Sequence, residues 1–123
     1  MAPNYRNGKI CYIEIPATDI EISAAFYSRA FGWSVRRRGD GSTAFDDTTS
    51  EVSGAWVTGR KIVAEPGIVV YIMVADIEAA TKAITEAGGD IVLPADPQAQ
   101  VVFAHFRDPA GYVLGIYQHS GIA

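Results

Sequence analysis

Residues 10–32, ICYIEIPATDIEISAAFYSRAFG, place an extended segment directly before a helical one. The apolar run from Ile10 to Ile15 has a period of two, which predicts a β-strand. Thr18, followed three residues later by Glu21, forms a capping box, which predicts that a helix begins here. Gly32 supplies the left-handed residue that commonly ends a helix. This part of the chain is therefore predicted to be a strand followed by a helix.

The same pattern returns in residues 68–89, IVVYIMVADIEAATKAITEAGG. Asp76 and Gly89 follow Asp19 and Gly32 at the same distance of 57 residues, and Asp76 is suited to cap the second helix. After the helix, matching residues of the two copies lie 61 positions apart. Five pairs share this offset: Phe45 and Phe106, Asp47 and Asp108, Val52 and Val113, Gly54 and Gly115, and Trp56 and Tyr117. The chain is therefore predicted to contain two copies of one unit.

In each copy, three short extended segments separated by turn residues follow the helix. The predicted fold class is α+β, with two tandem βαβββ modules forming an open, cup-shaped mixed sheet. We expect a single domain over residues 1–123, with modules at about 8–58 and 68–118 and a linker at 59–67. Because one helix covers only one face of a four-stranded sheet, we expect the two open faces to border a shared concave space.

Composition excludes several classes of function. The 123 residues carry 14 acidic and 10 basic side chains, and the pI is about 5.0, so we expect no nucleic-acid partner. No window approaches the 18 or more apolar residues of a membrane span, so we expect no membrane partner. The polar segment Met1–Lys9 lacks the apolar core of a signal peptide, and the cytoplasm is therefore the expected compartment.

Four segments resemble the vicinal oxygen chelate superfamily, which includes glyoxalase, bleomycin-resistance proteins and extradiol dioxygenases: Cys11–Asp19, Ala25–Tyr27, Phe31–Trp33 and Asp108–Gly115. The resemblance covers nearly the whole chain and implies the paired βαβββ modules already indicated by the repeat. It also implies a homodimer, because members of this size often complete their cups across a two-fold interface. It does not fix the activity, because this superfamily includes lyases, oxygenases, thiol transferases and drug-binding proteins.

Metal-dependent members of the superfamily place His, Gln or Glu at four points, on the first and last strand of each module. The resemblance carries these points to Tyr12, Gly54, Val69 and Gly115, or to Tyr71 in place of Val69 if the second module is shifted by two residues. None of these residues is a common ligand of a divalent transition metal. We therefore expect no metal ion and no cofactor, although a relocated site that includes Glu14 and His105 stays open.

The aromatic residues expected on the same strand faces as these four points are predicted to line a ligand pocket: Tyr12, Trp56, Tyr71 and Tyr117. The alternatives are that the rings fill the core or lie in a dimer interface. Glu14 and His105 are the candidates for polar contacts or catalytic acid/base groups. The alternative for these two is a glutamate paired with an arginine and a histidine hydrogen-bonded at the end of its strand.

Two further features have a functional and a structural interpretation. In the predicted second strand, Arg36 and Arg38 share one face and Arg37 lies on the other. They are expected to clamp a carboxylate or phosphate, or to protect an edge strand with charge. Cys11 is expected on the helix side of the first strand, as a small apolar core residue.

The preferred function is metal-independent binding of a small aromatic or amphipathic organic molecule between the two modules. The alternative is a glyoxalase-like lyase or isomerase in which His105 or Glu14 moves a proton beside the carbonyl group of a small substrate. A third possibility is a structural or regulatory dimer with a filled cup.

Overall fold

The structure is a computed structural model that describes residues 5–119 and 121–122. The chain divides into two compact units, Met1–Lys61 and Ile62–Ala123. Each unit contains one helix and one four-stranded sheet. Within the described residues, neither helix is long and apolar enough to cross a membrane.

The first unit contains five elements, in the order strand, helix and three strands: β1 (Tyr12–Pro16), α1 (Ile20–Phe31), β2 (Ser34–Arg37), β3 (Thr43–Asp46) and β4 (Ser53–Val57). The strands lie in the order β1-β4-β3-β2 across the sheet. The pairing of β1 with β4 is parallel, and the other two pairings are antiparallel.

The second unit repeats this order of elements: β5 (Tyr71–Val74), α2 (Ile77–Glu86), β6 (Asp90–Leu93), β7 (Phe103–Arg107) and β8 (Val113–Gln118). Its strands lie in the order β5-β8-β7-β6, again with one parallel and two antiparallel pairings. The prediction of two tandem βαβββ modules with mixed, open sheets is thereby confirmed.

Aspartate caps the N-terminus of both helices. The Asp76 carboxylate accepts hydrogen bonds from the backbone N–H groups of Glu78 and Ala79, as expected. In α1 the cap is Asp19, which accepts from the Ile22 N–H at 3.2 Å, so the prediction of a Thr18 cap is wrong by one residue. An Asp side chain satisfies the free N–H groups of the first turn as well as a threonine does, so the sequence alone did not distinguish the two positions.

The core of the first unit is a continuous aromatic cluster between α1 and the sheet. The Tyr27 and Trp33 rings stack with centroids 4.9 Å apart, and the Trp33 and Phe45 rings stack at 4.5 Å. Phe45 continues to Trp56 at 4.9 Å, and the Trp56 side chain is only 2 % exposed. The interaction of these rings adds to the stability that burial of their apolar area provides.

Trp56 therefore lies on the helix side of β4, and the prediction that it shares a face with Tyr12 is wrong. Trp56 pairs with Ile15 of β1, whereas Tyr12 pairs with Ser53. Because side chains of successive residues point to opposite faces of a sheet, Tyr12 and Trp56 point in opposite directions. Of the three interpretations of the Trp56 ring, ligand pocket, core or dimer interface, the structure therefore favours the core.

A turn of different length in the two units explains the error. The Asp47 N–H donates to the Val52 carbonyl, whereas the equivalent Asp108 N–H donates to the Tyr112 carbonyl, one residue closer in sequence. The offset of 61 residues that holds for β3 and β7 therefore falls to 60 in β4 and β8. Trp56 corresponds to the buried Ile116 and not to Tyr117. A slip of one residue moves every side chain of a strand to the other face.

The core of the second unit is mostly aliphatic. Ile77 and Ile84 of α2 are buried together with Phe106, Leu114 and Ile116 of the sheet. The alternate residues of β5, β7 and β8 point away from α2. We call the sheet face that is turned away from the helix the open face of each unit.

Candidate functional site

Three residues on neighbouring strands form the centre of the open face of the second unit. Tyr71 of β5 and His105 of β7 both pair with Gly115 of β8, which lies between them. A Cβ atom on Gly115 would lie 2.4 Å from two atoms of the Tyr71 ring. The glycine therefore allows the Tyr71 ring to lie across β8 and reach the third strand.

The Tyr71 hydroxyl and the His105 Nε2 atom are 2.7 Å apart, and they form a hydrogen bond. If the imidazole carries its proton on Nδ1, the hydroxyl donates to Nε2; in the other tautomer, Nε2 donates to the hydroxyl oxygen. In either arrangement the bond orients the ring and gives the pair a donor and an acceptor at the surface. Imidazole is the side chain best suited to exchange protons near neutral pH.

On one side of this pair is an apolar groove with a volume of about 430 Å³. Its walls are five side chains, most of them aromatic or flexible: Tyr71, Met73, Val101, Phe103 and Tyr117. Met73 is 57 % exposed, Tyr71 46 % and Phe103 36 %. A cluster of exposed large apolar side chains on a sheet is a typical sign of a binding surface.

On the other side of the pair is a second groove, of about 410 Å³, which is more polar. Its lining includes the polar or charged residues His105, Glu65 and Arg107 and the apolar residues Val69 and Leu93. The Tyr71–His105 pair thus stands between an apolar groove and a groove that contains both signs of charge.

The predicted site residues therefore separate into three groups. Tyr71, Tyr117 and His105 lie together on the open face of the second unit. Tyr12 and Glu14 lie on the open face of the first unit. Trp56 belongs to the core.

Three residues of the apolar groove, Met73, Val101 and Phe103, were not predicted from the sequence. Phe103 is two residues before His105, and Met73 is two residues after Tyr71, so strand periodicity places each on the same face as its neighbour. The period of two was therefore a usable signal for both. Val101 precedes β7, where periodicity no longer predicts the direction of a side chain.

The space beside Gly54 and Gly115 is occupied by the protein's own rings. The Phe45 ring lies against Gly54 on the helix side, and the Tyr71 ring lies against Gly115 on the open face. Glycine on a strand commonly marks such a close approach.

The residues at the four positions do not provide the ligands of the metal site that the resemblance implies. Because of the register, Ala55 and Gly115 are the last-strand residues on the open faces, and their partners on the first strands are Glu14 and Tyr71. Of these four only Glu14 is a common ligand, and Arg60 donates to its carboxylate at 2.6 Å. Over residues 5–119 and 121–122, no three His, Cys, Asp or Glu side chains are close enough together to hold an ion.

The arginines of β2 alternate as predicted. Arg37 lies on the helix side, where it pairs with Glu21 and Thr43, and Arg36 lies on the open face of the first unit. The hydrogen bond from Arg36 and the resulting attraction hold the pKa of Asp46 below its usual range. Asp46 in turn raises the pKa of Arg36.

Cys11 is exposed, so the expectation of a buried core residue is wrong. It precedes β1, although its carbonyl still accepts a hydrogen bond from the Ser53 N–H at 2.9 Å. The helix-side apolar row begins after it, at Ile13, which is partly buried.

Comparison with known proteins gives a consistent result. The family model of the glyoxalase/bleomycin resistance protein/dioxygenase superfamily matches residues 9–116. A glyoxylase-like domain-containing protein of Didymella fabae is 36 % identical over 90 residues, which cover 68 % of this chain and 70 % of the relative.

Two solved structures illustrate the similarity of fold. A glyoxalase/bleomycin resistance protein/dioxygenase family enzyme from Burkholderia phytofirmans has a TM-score of 0.71 at 18 % identity, covering 90 % of this chain and 98 % of that one. A fosfomycin resistance protein from Mesorhizobium loti has a TM-score of 0.72 at 13 % identity, covering 94 % of both chains.

Proposed function

Because the chain belongs to the glyoxalase/bleomycin resistance protein/dioxygenase superfamily, we propose that it binds a small aromatic or amphipathic organic molecule, without a metal ion, on the open face of its second unit. Membership of the family does not decide between binding and catalysis, since one fold carries many functions. The observation that supports binding is the exposed aromatic groove beside the Tyr71–His105 pair.

The groove has the chemistry that a planar ligand needs. The Phe103 ring centroid lies 6.0 Å from that of Tyr71 and 5.7 Å from that of His105. Rings at such spacings present faces and edges against which a further aromatic ring can pack. A hydroxyl or amino group at one end of the ligand would reach the Tyr71–His105 pair, so the expected ligand is apolar along its body and polar at one end.

Phe103→Ala is expected to weaken binding of such a ligand about tenfold, because it removes one aromatic wall of the groove. The measurement is calorimetric titration with small probes that have this character, such as 2-naphthol, with cyclohexanol as the non-aromatic comparison. Tyr5→Ala is the matched control, since Tyr5 is an aromatic residue of the first unit and is 89 % exposed.

Two outcomes would contradict this proposal: cyclohexanol binding as tightly as 2-naphthol, or Tyr5→Ala weakening binding as much as Phe103→Ala. Elemental analysis of protein purified without chelator tests whether binding is independent of a metal ion, and a stoichiometric transition metal would refute that part of the proposal.

Measuring the molecular mass of Phe103→Ala in solution checks the alternative that a second copy of the chain covers this face. A dimer that dissociates in the variant would support that alternative.

A second candidate function is proton transfer beside a carbonyl group, and the Tyr71–His105 hydrogen bond favours it. In the tautomer with the ring proton on Nε2, this N–H donates to the Tyr71 oxygen, Nδ1 is the atom suited to take up the α-proton, and the Tyr71 O–H is suited to donate a hydrogen bond to the developing oxyanion. The measurement is the exchange of the α-hydrogens of small aryl ketones with D₂O, followed by NMR. If this function is real, His105→Ala lowers the exchange rate by about 100-fold or more, whereas binding of 2-naphthol largely survives.

A further inference from the structure

The open face of the first unit carries two carboxylates, and each is paired with a guanidinium. Arg36 donates to both oxygens of Asp46, at 2.8 and 3.2 Å. Arg60 donates to Glu14 at 2.6 Å. Within these two pairs the charges balance, so neither arginine brings an excess of positive charge to the face.

Arg38 on the same face has a different partner. Its Nη2 atom donates to the Tyr12 hydroxyl oxygen at 2.6 Å, and its Cζ atom lies 5.2 Å from the centroid of the Tyr12 ring. Among the described residues Arg38 forms no ion pair. The Arg38 charge also attracts the carboxylates of Asp40 and Asp46. This attraction is one of the smaller contributions to the lowered pKa values of the two carboxyl groups.

The direction of this hydrogen bond leaves donors at the surface. Because the Tyr12 oxygen accepts from Arg38, the phenolic O–H remains able to donate to a third group. A guanidinium has five N–H donors, and the bond to Tyr12 uses one of them. Tyr12 is 42 % exposed and Arg38 is partly buried, so the pair is accessible while its positive charge is only partly screened by water.

Arg38 lies at the start of a hydrogen-bonded turn. The Arg38 N–H donates to the Ser42 carbonyl at 2.9 Å, and the Arg38 carbonyl accepts from the Gly41 N–H at 3.0 Å. The Asp40 carboxylate accepts hydrogen bonds from the Ser42 N–H and hydroxyl, which occupies one of its oxygens within the turn. The turn thus fixes the backbone of Arg38, and the hydrogen bond to the Tyr12 hydroxyl restrains the guanidinium itself before any ligand binds.

We propose that Arg38 and Tyr12 form a binding site for an oxyanion, the carboxylate or phosphate group of a small molecule. The anion accepts hydrogen bonds from the Tyr12 O–H and from N–H groups of Arg38, an arrangement that is charge-assisted and directional. This site lies on the first unit and shares no residue with the aromatic groove of the second unit, so a test of one does not decide the other.

The test is an NMR titration of the full chain with benzoate and, separately, with inorganic phosphate, at constant ionic strength. The Arg38 Nε–H signal is expected to shift saturably with at least one of the two anions, and the comparison of the two distinguishes a carboxylate source from a phosphate source. Arg38→Gln is expected to weaken this binding about tenfold or more, because it removes a charged hydrogen-bond donor. Tyr12→Phe keeps the ring, removes the hydroxyl and is expected to weaken binding by several-fold.

Arg29→Gln is the matched control, because it removes the same charge from an exposed position in the last turn of α1. It is expected to leave the affinity unchanged. Equal weakening by Arg29→Gln and Arg38→Gln would mean that only the net charge matters, and it would overturn the proposal. The absence of a saturable shift at Arg38 with either anion would also overturn it. Urea unfolding of each variant shows whether it keeps the fold in which its affinity is measured.

Discussion

Gly54→Ala is expected to lower the free energy of unfolding by about 3 kcal/mol or more, because a methyl group at this position overpacks the centre of the first sheet. The added Cβ atom would lie 2.0 Å from the Ile13 carbonyl oxygen and 2.4 Å from the Phe45 ring. The oxygen belongs to the backbone of the neighbouring strand, so it moves only if the pairing of β1 with β4 is disturbed. Urea unfolding followed by circular dichroism measures the effect.

Gly115→Ala is the matched variant in the second unit. The Cβ atom added at position 115 would lie 2.4 Å from the Tyr71 ring. The Tyr71 side chain is 46 % exposed, so, unlike a backbone carbonyl, it is able to rotate away. We expect a loss of stability within about 1 kcal/mol, together with loss of the Tyr71–His105 hydrogen bond and weaker binding of 2-naphthol. Equal destabilisation by the two substitutions would contradict this account of the two glycines.

The second large effect is expected for Trp56→Ala, which should cost about 3–5 kcal/mol of stability, the range for removing a large buried aromatic ring. The substitution interrupts the aromatic cluster, since the Trp56 ring contacts Phe45 and lies with its centroid 5.9 Å from that of Tyr27. The midpoint and slope of urea unfolding give the change in free energy.

Tyr12→Ala is the control for this prediction, because the sequence analysis placed the two aromatic residues in the same pocket. Tyr12 is 42 % exposed, so its removal is expected to cost no more than about 1 kcal/mol. Trp56→Phe keeps a ring in the core and removes an indole N–H that has no hydrogen-bond partner within the described residues, so it should cost much less than Trp56→Ala. A Trp56→Ala variant as stable as Tyr12→Ala would place Trp56 outside the core.

The repeat of the βαβββ unit was accessible from the sequence because its signals are local. Strand periodicity, an aspartate before each helix and a glycine after it all act within a few residues. Gly32 and Gly88 adopt φ values of 74° and 108°, in the left-handed region where glycine is favoured. The same local signals predicted that Tyr71 and His105 each lie on a strand.

The sheet face to which the Trp56 side chain points could not be predicted from such local signals. The turn before β8 is marked by Gly111, at a φ of 98°, whereas the longer turn before β4 has its left-handed residue at Ser50, with a φ of 58°. Serine does not favour that conformation, so the sequence did not predict a left-handed residue at Ser50. The extra residue of the first turn was therefore not recognised when the two copies were matched. One residue was enough to exchange the predicted pocket residue for a core residue.

The sequence by itself thus determined the order of elements in both units, the residues that cap the helices to within one position, and the family to which the chain belongs. Only the tertiary structure decided which side chains meet. Tyr71 and His105 are 34 residues apart and come together because both of their strands pair with β8, at the one register position occupied by Gly115. Such pairing depends on hydrogen bonds between distant segments, and periodicity within a strand carries no information about its register with another.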